Sequence, residues 1–179
     1  RHFPHAREIL EIIRIRAAVP VLAGCSSQWL IAADRELEDD PGIVLALYSL
    51  PGAELRPVRI TGAEDEMPGA PKECKGWMVF ANPLGFDGEA LLRKWDKIHP
   101  GVPATGGLAS AGFPPTKTQV YLNDDVFEDG AVAISIGGKV SLTCIVSQGC
   151  TPIGESWTIT NAAGNHLHEI GGRPAYQVL

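Results

Sequence analysis

The sequence predicts an α/β fold, of the α+β kind. It is a mixed β-sheet with helices, built from two related strand-helix-strand units plus a run of antiparallel strands. Three observations lead there: two segments with helical spacing of apolar residues, short strand-like runs that end in glycine-rich exits, and a repeat that relates the two halves. At 179 residues the chain is long enough to build its own core without disulfide or metal staples.

Ile9, Ile12, Ile13 and Ile15 give the first helix its apolar stripe, with Glu8, Glu11, Arg14 and Arg16 on the other side. The helix should stop before Pro20, because the residue preceding a proline disfavours the α region. Val19 to Ala23 reads as a short buried strand running into Gly24-Cys25-Ser26-Ser27. After a polar, acidic stretch from Asp34 to Asp40, two strands are expected at Gly42 to Leu50 and Ala53 to Ile60, joined at Pro51-Gly52. Gly62 to Lys75 carries acids and prolines without periodicity, which makes it a loop and the expected internal linker.

Trp77 to Ala81 reads as a strand. Gly88 to Ile98 reads as a helix with Leu91, Leu92, Trp95 and Ile98 on its apolar side. Val102 to Thr105 is a short strand entering Gly106-Gly107-Leu108-Ala109-Ser110. Further strands are expected at Thr118 to Leu122, Ala131 to Ile136 and Val140 to Ser147, the last two joined by a tight turn at Gly137-Gly138. Trp157 to Asn161 and His166 to Ile170 form one more hairpin around Ala163-Gly164, and Arg173 to Tyr176 starts a helix.

Shifting the first half by 83 positions matches Ile9 with Leu92, Ile12 with Trp95, Val19-Pro20 with Val102-Pro103, Gly24 with Gly107 and Ser27 with Ser110. The expected internal units are residues 1–61 and 76–150. On this reading the strand equivalent to Trp77–Ala81 belongs before Arg1, and the chain is the interior of a longer protein.

Composition narrows the function. Fifteen basic against twenty-one acidic residues give a net charge of -6 with no basic cluster, which argues against nucleic acid as a partner. No apolar run approaches the roughly 20 residues of a membrane span. Four cysteines, Cys25, Cys74, Cys144 and Cys150, lack zinc spacing and read as free, mostly buried thiols of an intracellular, reducing compartment, either cytoplasm or an organelle stroma.

Candidate chemistry collects at three loops. Cys25 stands where a strand leaves the sheet. It is either a small buried strand-end residue or a nucleophile, and the latter needs a histidine in reach. Gly24, Cys25, Ser26 and Ser27, facing Gly106, Gly107 and Ser110, would make a concave site of backbone N–H groups and hydroxyls suited to a small polar or anionic molecule. Gln148, Gly149 and Cys150 lie in a turn-rich stretch that either is structural or contributes ligand contacts. His166 and His168 share a strand face, but no third metal ligand accompanies them. Glu36, Glu38, Asp39 and Asp40 read as a solvated loop, not an acid/base pair. No catalytic residue, metal or cofactor is assigned.

Gly106-Gly107-Leu108-Ala109-Ser110, Asp129-Gly130-Ala131-Val132, Val21 to Ser27 with Glu36 downstream, and above all Ser147-Gln148-Gly149-Cys150-Thr151-Pro152-Ile153-Gly154 with Trp157 to Thr160 and Gly172 to Ala175 resemble the N-terminal FIST domain. The resemblance spans nearly the whole chain. It implies a single domain over residues 1–179 that acts as a non-enzymatic sensory module for a small ligand such as an amino acid. Family members begin with a strand ahead of the first helix and usually continue into a C-terminal FIST domain. Neither is present here, so that domain or another subunit is the expected protein partner. The alternative reading is a structural or adaptor subunit of a larger complex, and the third is a cysteine-dependent enzyme.

Overall fold

A computed structural model describes residues 3–32, 35–38, 40–61, 67, 69–84, 87–111 and 117–178. Asp34, Asp39 and most of 62–68, within the expected acidic stretch and linker, lie outside the described residues. The chain divides into two compact units, Arg1–Cys144 and Ile145–Leu179, so the division falls well after the expected linker.

In the first unit, helix α1 (Ala6–Ala17) ends at Ala18, whose left-handed φ of 51° turns the chain just ahead of Pro20. Strand β1 (Ala23–Cys25) follows, two to four residues later than the expected Val19–Ala23. The acidic stretch contains a hairpin that its polarity hid, β2 (Leu30–Ala32) and β3 (Arg35–Leu37), paired Leu30 to Leu37. Strand β4 (Ala53–Ile60) forms as expected, but residues 41–50 do not form a strand. Their β-prone side chains have no ladder partner among the described residues, and strand propensity is realised only against a neighbouring strand.

Strand β5 (Gly76–Ala81), helix α2 (Gly88–Ile98) and strand β6 (Ala104–Leu108) make a parallel crossover unit. The Asp87 carboxylate caps α2 by accepting the Ala90 N–H at 2.9 Å. Strands β7 (Val120–Leu122) and β8 (Asp125–Phe127) form a hairpin whose turn needs the positive φ of Asn123. Strand β9 (Ala131–Gly138) runs through the glycine pair expected to turn it back. Residues 140–147 are not a strand, and the expected hairpin is absent. Lys139 N–H instead bonds the Gly52 carbonyl at 2.9 Å, and Leu142 lies directly over Gly76.

The main sheet has the order β4-β9-β5-β6, antiparallel except for β5-β6, and a second sheet has the order β1-β7-β8. Period-2 alternation along β5 and β9 sends Trp77, Ala81, Ala131 and Ala133 to one face, where α2 contributes Trp95. Trp77 and Trp95 meet edge to face at 5.2 Å, and the His99 ring lies 5.1 Å from each. Phe80 and Val132 point to the opposite face, where they pack with Val120, Cys25 and Leu122 of the second sheet. Leu92, expected on the apolar side of α2, is exposed.

Buried Asn82 holds the chain after β5. Its amide nitrogen donates to the carbonyls of Thr118 (3.2 Å) and Glu128 (2.7 Å), while its oxygen accepts from Leu84 N–H (2.8 Å) and the Thr118 hydroxyl (2.7 Å). All four of its hydrogen-bonding positions are filled.

The second unit, described by itself, is the three-stranded antiparallel sheet β10 (Ile159–Ala163), β11 (His166–Ile170) and β12 (Arg173–Pro174). A 3₁₀ turn, Ala175–Gln177, follows in place of the expected helix start. The Ala163-Gly164 hairpin forms as expected, and the Arg173 guanidinium stacks 5.5 Å from the Trp157 ring.

Candidate functional site

The exits of β1 and β6 meet. Ser110 N–H donates to the Ser26 carbonyl at 3.0 Å, the Ser26 hydroxyl donates to the Ser110 carbonyl at 3.3 Å, and Gln28 N–H donates to the Ser110 hydroxyl at 3.0 Å. Ser26 is held further by Gln119, whose N–H reaches its hydroxyl at 3.0 Å and whose carbonyl accepts its N–H at 2.8 Å. These bonds clasp the two sheets together at the glycine-rich loops singled out from the sequence.

A cavity of about 340 Å³ opens beside this clasp. Gly24, Cys25, Ser26 and Ser27 line one side, together with Tyr121, which is paired with Gly24 across β1-β7. The opposite wall is not Gly106, Gly107 or Ser110. It is the inner face of α1 (Ala6, Ile9, Leu10, Ile13) together with residues in the range 38–45. Gly106 and Gly107 sit exposed on the edge strand β6. Gln148, Gly149 and Cys150 are exposed in the second unit.

The α1 stripe explains the wall. Ala6 and Leu10 are buried and Ile9 and Ile13 half-buried, while Ile12 and Ile15, expected on the same face, are 60% and 68% exposed. Arg14 and Arg7 tie the helix to the β7-β8 turn through Asp124 (2.8 Å) and Asp125 (3.8 Å). Gly42 fits closely under Leu30 and Leu37, so the β2-β3 hairpin folds Glu38 and Asp40 back to the cavity mouth. Sequence reasoning placed those acids in a solvated loop. It missed Tyr121, for which strand alternation after Val120 was the available signal.

Burial pushes the Cys25 thiol above its ordinary range. That is the wrong direction for a nucleophile, since the thiolate is the reactive form. Burial, with a smaller contribution from Cys25, pushes the Tyr121 phenol up to about 12. All four thiols are free, as expected, but they are not mostly buried: Cys25 and Cys74 are half-buried, and Cys144 and Cys150 are exposed. His166 and His168 stack at 6.5 Å, and among the described residues no group of three His, Cys, Asp or Glu could hold a metal. No helix among them is long and apolar enough to cross a membrane.

An α/β chain whose strand exits are joined beside a cavity of ligand size defines the class. The particular family follows from comparison with known sequences: the FIST N domain matches residues 1–173, and the chain belongs to that family. It is 31% identical over 179 residues to the Mycobacterium tuberculosis protein Rv0628c, covering 97% of this chain and 46% of that protein. It is also 31% identical over 184 residues to the Mycobacterium bovis protein Mb0898c, covering 99% of this chain and 47% of that one. The chain thus spans about half the length of the curated relatives it matches. No solved structure matches.

Proposed function

We propose that the chain is a sensory module that binds a small molecule in the cavity between α1, the Gly24–Ser27 exit, Glu38 and residues 40–45, without covalent chemistry. The observation that carries this is the cavity itself: about 340 Å³, at the small end of ligand sites, with an apolar helix wall facing a polar strand exit. Membership in the FIST family, whose resemblance implies ligand sensing, supports the same reading. The raised Cys25 thiol weighs against the cysteine-dependent enzyme. Four free thiols favour a reducing compartment. In this reading Ser110 acts behind the cavity, through the clasp on Ser26, Gly106 and Gly107 belong to the β5-β6 ladder, and Gln148, Gly149 and Cys150 have no assigned contact.

The test is a thermal-shift screen of the intact protein with small metabolites, followed by peptide-resolved alkylation. A ligand in this cavity slows modification of Cys25 and leaves exposed Cys144 unchanged. A flat screen, or hits that leave Cys25 unprotected, would end the proposal.

One observation favours an adaptor role as the second reading. Leu47 and Tyr48, with Ile43 to Leu45, expose a continuous apolar run in a segment without strand partners among the described residues. An adaptor would bury that run against another protein or a C-terminal FIST domain, giving amide-exchange protection at residues 43–50 in the complex alone.

A further inference from the structure

Resting on the cavity reading, we infer that its ligand is an amphipathic cation, an aliphatic chain bearing an ammonium group, and not an anion or a zwitterionic α-amino acid. Three features of the lining point the same way.

The hydroxyl donors are already spent. Ser26 Oγ donates to the Ser110 carbonyl, Ser27 Oγ to the Trp29 carbonyl at 2.5 Å, and the Tyr121 hydroxyl lies 3.3 Å from Gln119 Oε1. A hydroxyl has one proton and two lone pairs, so what Ser27 and Tyr121 still offer a ligand is acceptor capacity. Along β1 the ladder bonds fall at Gly24, opposite Tyr121, and at Ser26, which bonds Gln119, while Ala23 and Cys25 stand at the alternate positions that form no ladder bond to β7. An anion needs convergent donors, and the three hydroxyl protons of this wall are turned to protein acceptors instead.

The charges at the mouth are Glu38 and Asp40, and no lysine or arginine is among the described lining residues. The two α1 arginines nearest in sequence to the lining positions, Arg7 and Arg14, are held in ion pairs with Asp125 and Asp124. A carboxylate ligand would meet two like charges with no counter-ion, whereas an ammonium group meets two partners and donates three hydrogen bonds into acceptor-rich surroundings.

Gln28 adds one amide to the lining, and most of the remainder is hydrocarbon. Ile9, Leu10 and Ile13 face Leu30, Val44 and Leu45 across the cavity, which provides for an alkyl chain. The volume equals that of about eleven waters at the liquid's share of about 30 Å³ each, which suits a chain of several carbons with one head group.

The experiment uses the intact protein and four probes with a six-carbon skeleton: hexylammonium, 1-hexanol, hexanoate and L-norleucine. Binding is read by isothermal titration and by protection of Cys25 from alkylation. Hexylammonium should bind on the order of tenfold more tightly than hexanoate or norleucine, because the two carboxylates attract the first and repel the others' carboxylate. That preference should shrink with added salt. The double variant Glu38→Gln/Asp40→Asn alters two exposed side chains, and should lower hexylammonium affinity to that of 1-hexanol while leaving 1-hexanol unchanged. If 1-hexanol protects Cys25 but hexanoate or norleucine binds as well as hexylammonium, the charge assignment is overturned and the cavity reading stands. If no probe protects Cys25, both fall.

Discussion

Gly106 and Gly107 are adjacent, exposed and identical in chemistry, yet replacing each by alanine should have very different consequences. Gly106 has φ +154° and pairs with Val79 in the parallel β5-β6 ladder. A Cβ there would fall inside the radius of the Val79 carbonyl oxygen, with the carbonyl carbon at 2.7 Å and the nitrogen at 2.9 Å. Carbon and oxygen normally approach to about 3.3–3.6 Å even in close interstrand contacts. These are backbone atoms of a buried-face strand, so relief requires β6 to move away from β5. The strained backbone costs about 1–3 kcal/mol, and each ladder bond weakened adds about 1. Gly106→Ala should therefore lose about 3 kcal/mol or more, a fall in midpoint of about 6–12 °C for a chain of this size. Gly107 has nothing within 4 Å of its Cβ position and no positive φ. Gly107→Ala should stay within about 0.5 kcal/mol. Thermal unfolding followed by circular dichroism measures both. Amide exchange at Ala109, whose N–H bonds the Ala81 carbonyl at 2.8 Å, localises the effect. Equal midpoints for the two variants would refute the argument from the ladder.

Three other outcomes are expected. Asn82→Ala empties a fully bonded buried site and leaves the Thr118 hydroxyl and the Glu128 carbonyl without their partner, so urea unfolding should show a loss of about 2–4 kcal/mol; a loss under 1 would show that water replaces the side chain. Trp95→Ala removes the ring that meets Trp77 edge to face and should cost about 3–5 kcal/mol, whereas Leu92→Ala on the exposed side of α2 should cost little. Tyr121, pushed up to about 12, favours the neutral phenol in the folded state. Its contribution is therefore intact below the ordinary phenol pKa of about 10 and is lost as pH rises from there to about 12. Spectrophotometric titration should show one phenol ionising near pH 12, and Tyr121→Phe should flatten the alkaline loss of stability. A titration with no such late step would contradict the burial assigned to that ring.

The helices and strand exits were legible because their signals are local. α2 shows the helical spacing of Leu91 and Trp95, Pro20 follows the end of α1, and β5 is a short apolar run bounded by turn residues. Residues 42–50 and 140–147 carry equally good strand composition, but a strand exists only with a partner, and pairing is not a local property. The site divides along the same line. Gly24 to Ser27 stood out by pattern, and Ser110 by its match to Ser27 at an interval of 83. Which residues complete the cavity depended on the β2-β3 hairpin, whose short strands sit inside a run of charges. Glu38 and Asp40 are exposed, as the solvated reading expects, but nothing within the run says that Gly42 tucks under Leu30 and Leu37 and that the two acids line a cavity. Equally, the sequence offers two glycines at β6, and only the register with Val79 tells which of them is constrained.

The clasp at Ser26 and Ser110 gives the molecule a lever. Gln28, on the cavity wall, is tied through its backbone N–H to the hydroxyl of the residue that follows β6 by two positions, and β6, like β4, is an edge strand of the main sheet among the described residues. A load placed on that wall is carried across one hydrogen bond to a border with a single neighbouring strand. Such a border yields more readily than a central strand such as β9, which is gripped from both sides. The cavity wall and an outer strand of the main sheet are thus one hydrogen bond apart, while the middle of that sheet is held on both sides.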